Sequence, residues 1–144
     1  YAMKATLLLA DYAELSNGKL GVLGGGLTWF FAQSAVPLSV AVLLDADASE
    51  GGAKYDVRLR IVNLGGEPMG FIGDDGKPYR YEIDDIIEWP KKDANIENDL
   101  DFIWVGRFFG INLDEGMHRL EFVVKEEVIG SQVFAVRPKS AAGE

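Results

Sequence analysis

Apolar and polar residues alternate along most of this chain with a period of two, the period of a half-buried β-strand. Leu38, Val40, Val42 and Leu44 fall on one face of the segment 38–46. Tyr55, Val57, Leu59 and Ile61 alternate with Asp56, Arg58 and Arg60. Tyr79, Tyr81 and Ile83 alternate with Arg80, Glu82 and Asp84, and Leu120, Phe122 and Val124 with Arg119, Glu121 and Lys125. Segment 100–110 carries bulky residues on both faces: Phe102, Trp104 and Phe108 on one, Ile103, Val105 and Phe109 on the other. A last strand is expected over 131–137, after a turn at Ile129-Gly130.

At the other end, the apolar run 5–13 and its return over 19–25 are joined by Ser16-Asn17-Gly18-Lys19. Asn-Gly between apolar runs is the strongest short-range hairpin signal, because both central residues of a type I′ turn take positive φ. The rest of the chain is expected to add strands around this hairpin. Leu7-Leu8-Leu9, apolar on both faces, reads as part of a central strand. Gly24-Gly25-Gly26 reads as a bulge or bend that breaks the ladder. Segments 38–46 and 55–61 read as a second hairpin with a long loop, and 69–72 as a short strand. Segment 91–99 is a charged loop, and 139–144 a frayed tail.

These segments amount to about eight or nine strands with turns near every tenth residue and no amphipathic helix. The fold class is therefore all-β, an immunoglobulin-like or C2-like antiparallel sandwich in one domain over residues 1–144. Residues 1–2, ahead of Met3, read as an expression remnant.

Composition narrows the function. There is no cysteine, which removes disulfides, thiolate zinc sites and cysteine nucleophiles. Net charge is −9, from 14 basic and 23 acidic residues. That balance argues against nucleic acid and against anionic membranes, both of which select a basic face. A cytoplasmic location fits this composition.

No catalytic residue or cofactor is expected. The single histidine, His118, lies beside a turn and reads as a solvated strand-end residue, without a Gly-x-Ser-x-Gly elbow to serve. The glycine triplet lacks the Gly-Lys-Ser/Thr and following helix of a phosphate loop. Paired carboxylates are as numerous as the acidic composition makes them. Asp45 and Asp47, with Asp56 eleven residues after Asp45, place oxygens as a calcium loop does, but the glycine and the bidentate glutamate are misplaced.

The aromatic residues point elsewhere. Neighbouring strand residues face opposite ways, so Phe30-Phe31 and Phe108-Phe109 each send one ring away from a core. Covering such faces by self-association is the simplest solution. Trp29, Phe30, Phe31, Phe108 and Phe109 are the expected contact residues of a non-enzymatic binding or assembly module, with a second copy or another protein as partner. The alternative is a calcium- or carbohydrate-binding module built from acidic and aromatic end loops.

The stretch Met3-Lys4-Ala5-Thr6-Leu7-Leu8-Leu9-Ala10-Asp11-Tyr12-Ala13, then Asn17-Gly18-Lys19-Leu20, Gly24-Gly25-Gly26 and Trp29, resembles a family of small bacterial proteins abundant in actinobacteria. That family is classed as a domain of unknown function. The resemblance is concentrated in residues 3–31. It implies a bacterial, cytoplasmic β-sandwich and carries over no activity, cofactor or catalytic residue.

Overall fold

The computed structural model describes residues 3–32, 36–46, 51–89 and 100–138. Among the described residues the chain is all-β, with twelve strands and no helix. They are β1 (Lys4–Ala10), β2 (Tyr12–Ser16), β3 (Lys19–Leu23), β4 (Trp29–Phe31), β5 (Val36–Ala46) and β6 (Lys54–Asn63). The remainder are β7 (Gly70–Ile72), β8 (Pro78–Arg80), β9 (Glu82–Glu88), β10 (Leu100–Ile111), β11 (Gly116–Val124) and β12 (Glu127–Arg137). Segments 91–99 and 139–144, expected as loop and tail, lie outside the described residues, as does Asp47.

Two larger sheets carry the fold. One is three-stranded, in the order β1-β5-β10, and the other five-stranded, β4-β12-β11-β6-β9. Every pairing in them is antiparallel except that of β4 with β12, which is parallel. The predicted alternation holds within the long strands. Leu38, Val40, Val42 and Leu44 are at most 2% exposed, and Leu59, Ile61, Leu120 and Phe122 are fully buried in the same cluster. Trp104 of β10 and Phe122 of β11 meet across the two sheets with centroids 5.3 Å apart. Burying each such side chain contributes about 1.5–3 kcal/mol, so this shared core is what joins the sheets.

Pairing partners differ from the sequence-based expectation in several places. Segments 38–46 and 55–61 do not form a hairpin. β5 pairs with β1 and β10, whereas β6 pairs with β11 and β9. Each presents its apolar face to the common core from a different sheet, and alternation is the same for either arrangement. The run 5–13 is divided at Asp11, which bends the chain from β1 into β2. β1, with Leu7-Leu8-Leu9, is an edge strand and not a central one. Tyr81 likewise separates β8 from β9, because its side chain turns inward and its hydroxyl accepts the Asn112 amide at 2.9 Å. These divisions and the short strands raise the count above eight or nine.

The Asn-Gly hairpin forms as predicted, with Asn17 at φ 52° and Gly18 at φ 73°. It does not organise the sheets around itself. β2 and β3 stand as a separate two-stranded sheet laid over the outer face of the three-stranded one. There they help bury Ser39 (2% exposed) and Ala41 (0%), which face away from the core. Arg107 of β10 clamps the hairpin. Its Nε and Nη2 donate to the Ala13 carbonyl at 3.1 and 2.9 Å, and its guanidinium lies 4.6 Å from the Tyr12 ring centroid. Part of the two-faced apolar character in β1, β5 and β10 is thus covered within the chain. The glycine triplet forms a turn that hooks back onto the bend: Gly26 N donates to Leu9 O and Asp11 N to Leu23 O.

The final hairpin turns at Lys125-Glu126, not at Ile129-Gly130. Both turn residues take positive φ, 52° and 65°. Ile129 and Gly130 lie inside β12, where the register with β11 shifts by one residue. A Cβ added to Gly130 would sit 2.3 Å from the Ala5 carbonyl oxygen, so β1 packs directly against this point of β12.

Candidate interaction face

The outer face of the five-stranded sheet gathers exposed aromatic, methionine and arginine side chains. β4 sets the geometry. Phe30 points inward and stacks on the buried Phe134 ring at 5.6 Å. Trp29 and Phe31 therefore point outward, 40% and 39% exposed, with their rings edge-to-face at 5.1 Å. Register aligns Trp29 with Ala135 of β12, and Ala135 with Met117 of β11. A small residue thus lies between two large exposed ones. The next row holds Val133 beside Arg119. The Arg137 guanidinium covers one face of the Trp29 ring at 4.4 Å.

Toward β6 and β9 the same face becomes a ladder of ion pairs. Glu121, 8% exposed, is held by Arg60 at 2.9 Å and Arg119 at 3.4 Å. Arg58 Nε donates to Asp84 at 2.6 Å, and its Nη1 lies 4.0 Å from Glu82. The Arg58 hydrogen bond holds the Asp84 carboxyl below the usual carboxylate range and raises the guanidinium's own pKa. Arg58, Arg60 and Asp84 border an open concavity of about 930 Å³ that also includes Asp56, Val123 and Lys125. Lys125 Nζ is placed 4.4 Å over the Tyr55 ring. A surface with its charges matched in this way can select a partner by position and shape.

The other expected site residues scatter. Phe108 is 7% exposed, in the core against Tyr81, whereas its neighbour Phe109 is 87% exposed. Phe30 packs inward, as described. Phe109 lies on β10, in the other sheet from Trp29 and Phe31, so the five aromatics do not form one patch. Asp45 alternates with the buried Leu44 and Ala46, and so leaves the outer face of the three-stranded sheet. Asp56 alternates with the buried Val57 and leaves the outer face of the five-stranded one. The structure therefore does not bring Asp45 and Asp56 together.

His118 is 4% exposed, in the core beside Phe134, and is not a solvated strand-end residue. Its Nε2 donates to the Asp114 carbonyl at 2.8 Å. Its Nδ1 has no hydrogen-bond partner. Alternation with Leu120 and Phe122 on the same strand was the signal for this inward direction.

Met117, Val133, Arg119 and Arg137 carry no sequence motif. They join Trp29 only through the parallel pairing of β4 with β12, two strands about a hundred residues apart in the chain. No helix among the described residues is long and apolar enough to cross a membrane. No protein-family model matches the chain, and no curated protein matches it.

Proposed function

We propose that this chain is a single immunoglobulin-like sandwich that acts as a non-enzymatic assembly module, two copies meeting through the outer face of β4, β12 and β11. The strand order supports the immunoglobulin-like reading. β1, β5 and β10 take the places of strands A, B and E, and β6, β11 and β12 those of C, F and G, with β9 beside β6 as an added edge.

The observation that carries the association is the row Trp29–Ala135–Met117 with Phe31 and Val133 around it, exposed on a chain that already has a core of its own. Aromatic residues, Met and Arg are enriched in interface cores, and Trp and Arg dominate their energetics. The row is also self-complementary. Across a two-fold axis, the Trp29 ring of one copy meets the hollow above Ala135 of the other. The alternating signs of the adjacent ladder suit the same symmetry. The divergence of Asp45 and Asp56, and the guanidinium already on the Trp29 ring, favour this reading over a calcium or carbohydrate module.

Light scattering and sedimentation equilibrium at micromolar concentration test it. The expected result is a dimer mass. Trp29→Ala weakens a dimer by at least about 2 kcal/mol, roughly 30-fold in Kd, and leaves the melting temperature of the monomer nearly unchanged. A monomeric mass for the unaltered chain overturns the proposal. So does a dimer indifferent to Trp29→Ala and to Met117→Asp.

A further inference from the structure

Among the described residues the two larger sheets have four edges, and three of them are protected. β1 lies against β12, with the Ala5 carbonyl oxygen in the space a Gly130 Cβ would need. β4 is only three residues long. β9 is acidic, and Asp85 lies over its own edge: Oδ1 accepts the Ile86 amide at 2.8 Å and Oδ2 the Trp104 indole N–H at 2.8 Å. Short strands, charge and covering are the usual protections against unwanted strand pairing. Among the described residues β10 pairs with β5 alone, so its other side carries no strand. It is twelve residues long, carries Ile103, Val105 and Phe109 on its outer side, and ends its sheet.

A groove of about 550 Å³ runs along this edge. Ile103, Val105 and the exposed Phe109 supply apolar lining, Leu15 of β2 contributes to one side, and Ile83 with Asp84 and Asp85 of β9 to the other. The carboxylates that β9 brings to the lining are Asp84 and Asp85, and the strand, which also carries Glu82 and Glu88, has no basic residue. Arg58 pairs with Glu82 and Asp84, while Asp85 and Glu88 have no ion pair among the described residues. Arg107, the basic residue lining the groove, is committed to Ala13 and Tyr12.

We propose that the β10 edge takes up an extended segment of a partner protein by strand addition, and that this segment alternates apolar with basic residues. Backbone hydrogen bonds along the edge supply affinity, and alternate side chains supply choice. One set enters the apolar groove, while the flanking cations meet the β9 carboxylates. A second copy is the poorer occupant, since its own acidic β9 would add carboxylates to an already acidic wall. This site is separate from the Trp29 face and does not depend on it.

The test uses fluorescently labelled peptides of about eight residues, a common strand length, alternating Val with Lys or Val with Glu. Fluorescence anisotropy reads binding, and hydrogen exchange reads the β10 amides. The Val/Lys peptide is expected to bind saturably and to protect amides in 103–107. Its affinity should fall at least about tenfold in Phe109→Asp, in Leu15→Asp, and at about 0.5 M salt, where screening shortens to a few ångström. Both side chains are exposed, so both variants should keep the melting temperature of the unaltered chain. Trp29→Ala should leave peptide binding unchanged, which separates this site from the assembly face. Equal binding of the Val/Lys and Val/Glu peptides overturns the proposal, as does absence of saturable binding or binding untouched by both variants. A chain dimer that Phe109→Asp dissociates also overturns it, because the edge would then belong to a second copy.

Discussion

Tyr79 and Asp75 close the tip of the β7–β8 hairpin. The Tyr79 hydroxyl donates to one Asp75 oxygen, and the Lys77 amide to the other at 2.9 Å. The Tyr79 hydrogen bond, with the amide behind it, holds the Asp75 carboxyl below its ordinary range, and the same bond raises the Tyr79 phenol. A lowered carboxyl contributes above its unfolded value, near about 4, and loses that contribution as pH falls through the folded one. A raised phenol contributes below about 10 and loses its share as pH rises through its folded value. The tip is therefore held across the neutral range and loosens at both extremes. Titration followed by NMR should show Asp75 moving up toward the ordinary range in Tyr79→Phe; an unmoved Asp75 would contradict the assignment. At this scale the sequence is informative about alternation and silent about depth. Phe108 and Phe109 are identical neighbours with 7% and 87% exposure. Their opposition was readable, but which of them met the core depended on what lay on either side of β10.

Two hairpin turns share one backbone geometry and differ in how visible they are. Asn17-Gly18 and Lys125-Glu126 both place two residues at positive φ. Asn and Gly occupy that region easily, whereas ordinary L-residues are strained there by about 1–2 kcal/mol each. The second turn consequently lacks a composition signal, and Gly130 draws attention four residues too late. Glu126→Gly should relieve strain at φ 65°. Allowing for glycine's greater unfolded-state entropy, the gain is about 0.5–1 kcal/mol. Thermal unfolding should show a higher midpoint by a few degrees; a lower one would mean that Glu126 makes a compensating contact. The Arg107 clamp was equally hidden. Its ligand is a backbone carbonyl at Ala13, and a carbonyl leaves no mark in the sequence.

Across the whole molecule, the decisive contacts are those between elements distant in the chain. β1 closes against β12 at Gly130, and Trp104 joins β10 to β9 through Asp85. Gly130→Ala should cost about 1–3 kcal/mol, the usual penalty of overpacking. The added carbon would meet the Ala5 carbonyl group and its Cβ, none of which is the end of a flexible side chain. Urea unfolding would register this as a lower midpoint with an unchanged slope; an unchanged midpoint would show that β1 is free to shift. The exposed faces arise at the same scale. Trp29 shares a row with Ala135 and Met117 because β4 pairs with the last strand, and among the described residues β10 is an open edge because the chain crosses to the other sheet after β9.

The sequence by itself determined the all-β class, the inward faces of β5, β6 and β11, and the Asn-Gly hairpin. Each of these depends on residues within one strand or one turn, where alternation and φ preference act locally. Only the tertiary structure decided that β5 and β6 lie in different sheets, that His118 is buried, and that Trp29 and Phe109 belong to separate surfaces. Strand partners are chosen by packing between distant segments, and a period of two is the same whichever neighbour a strand acquires.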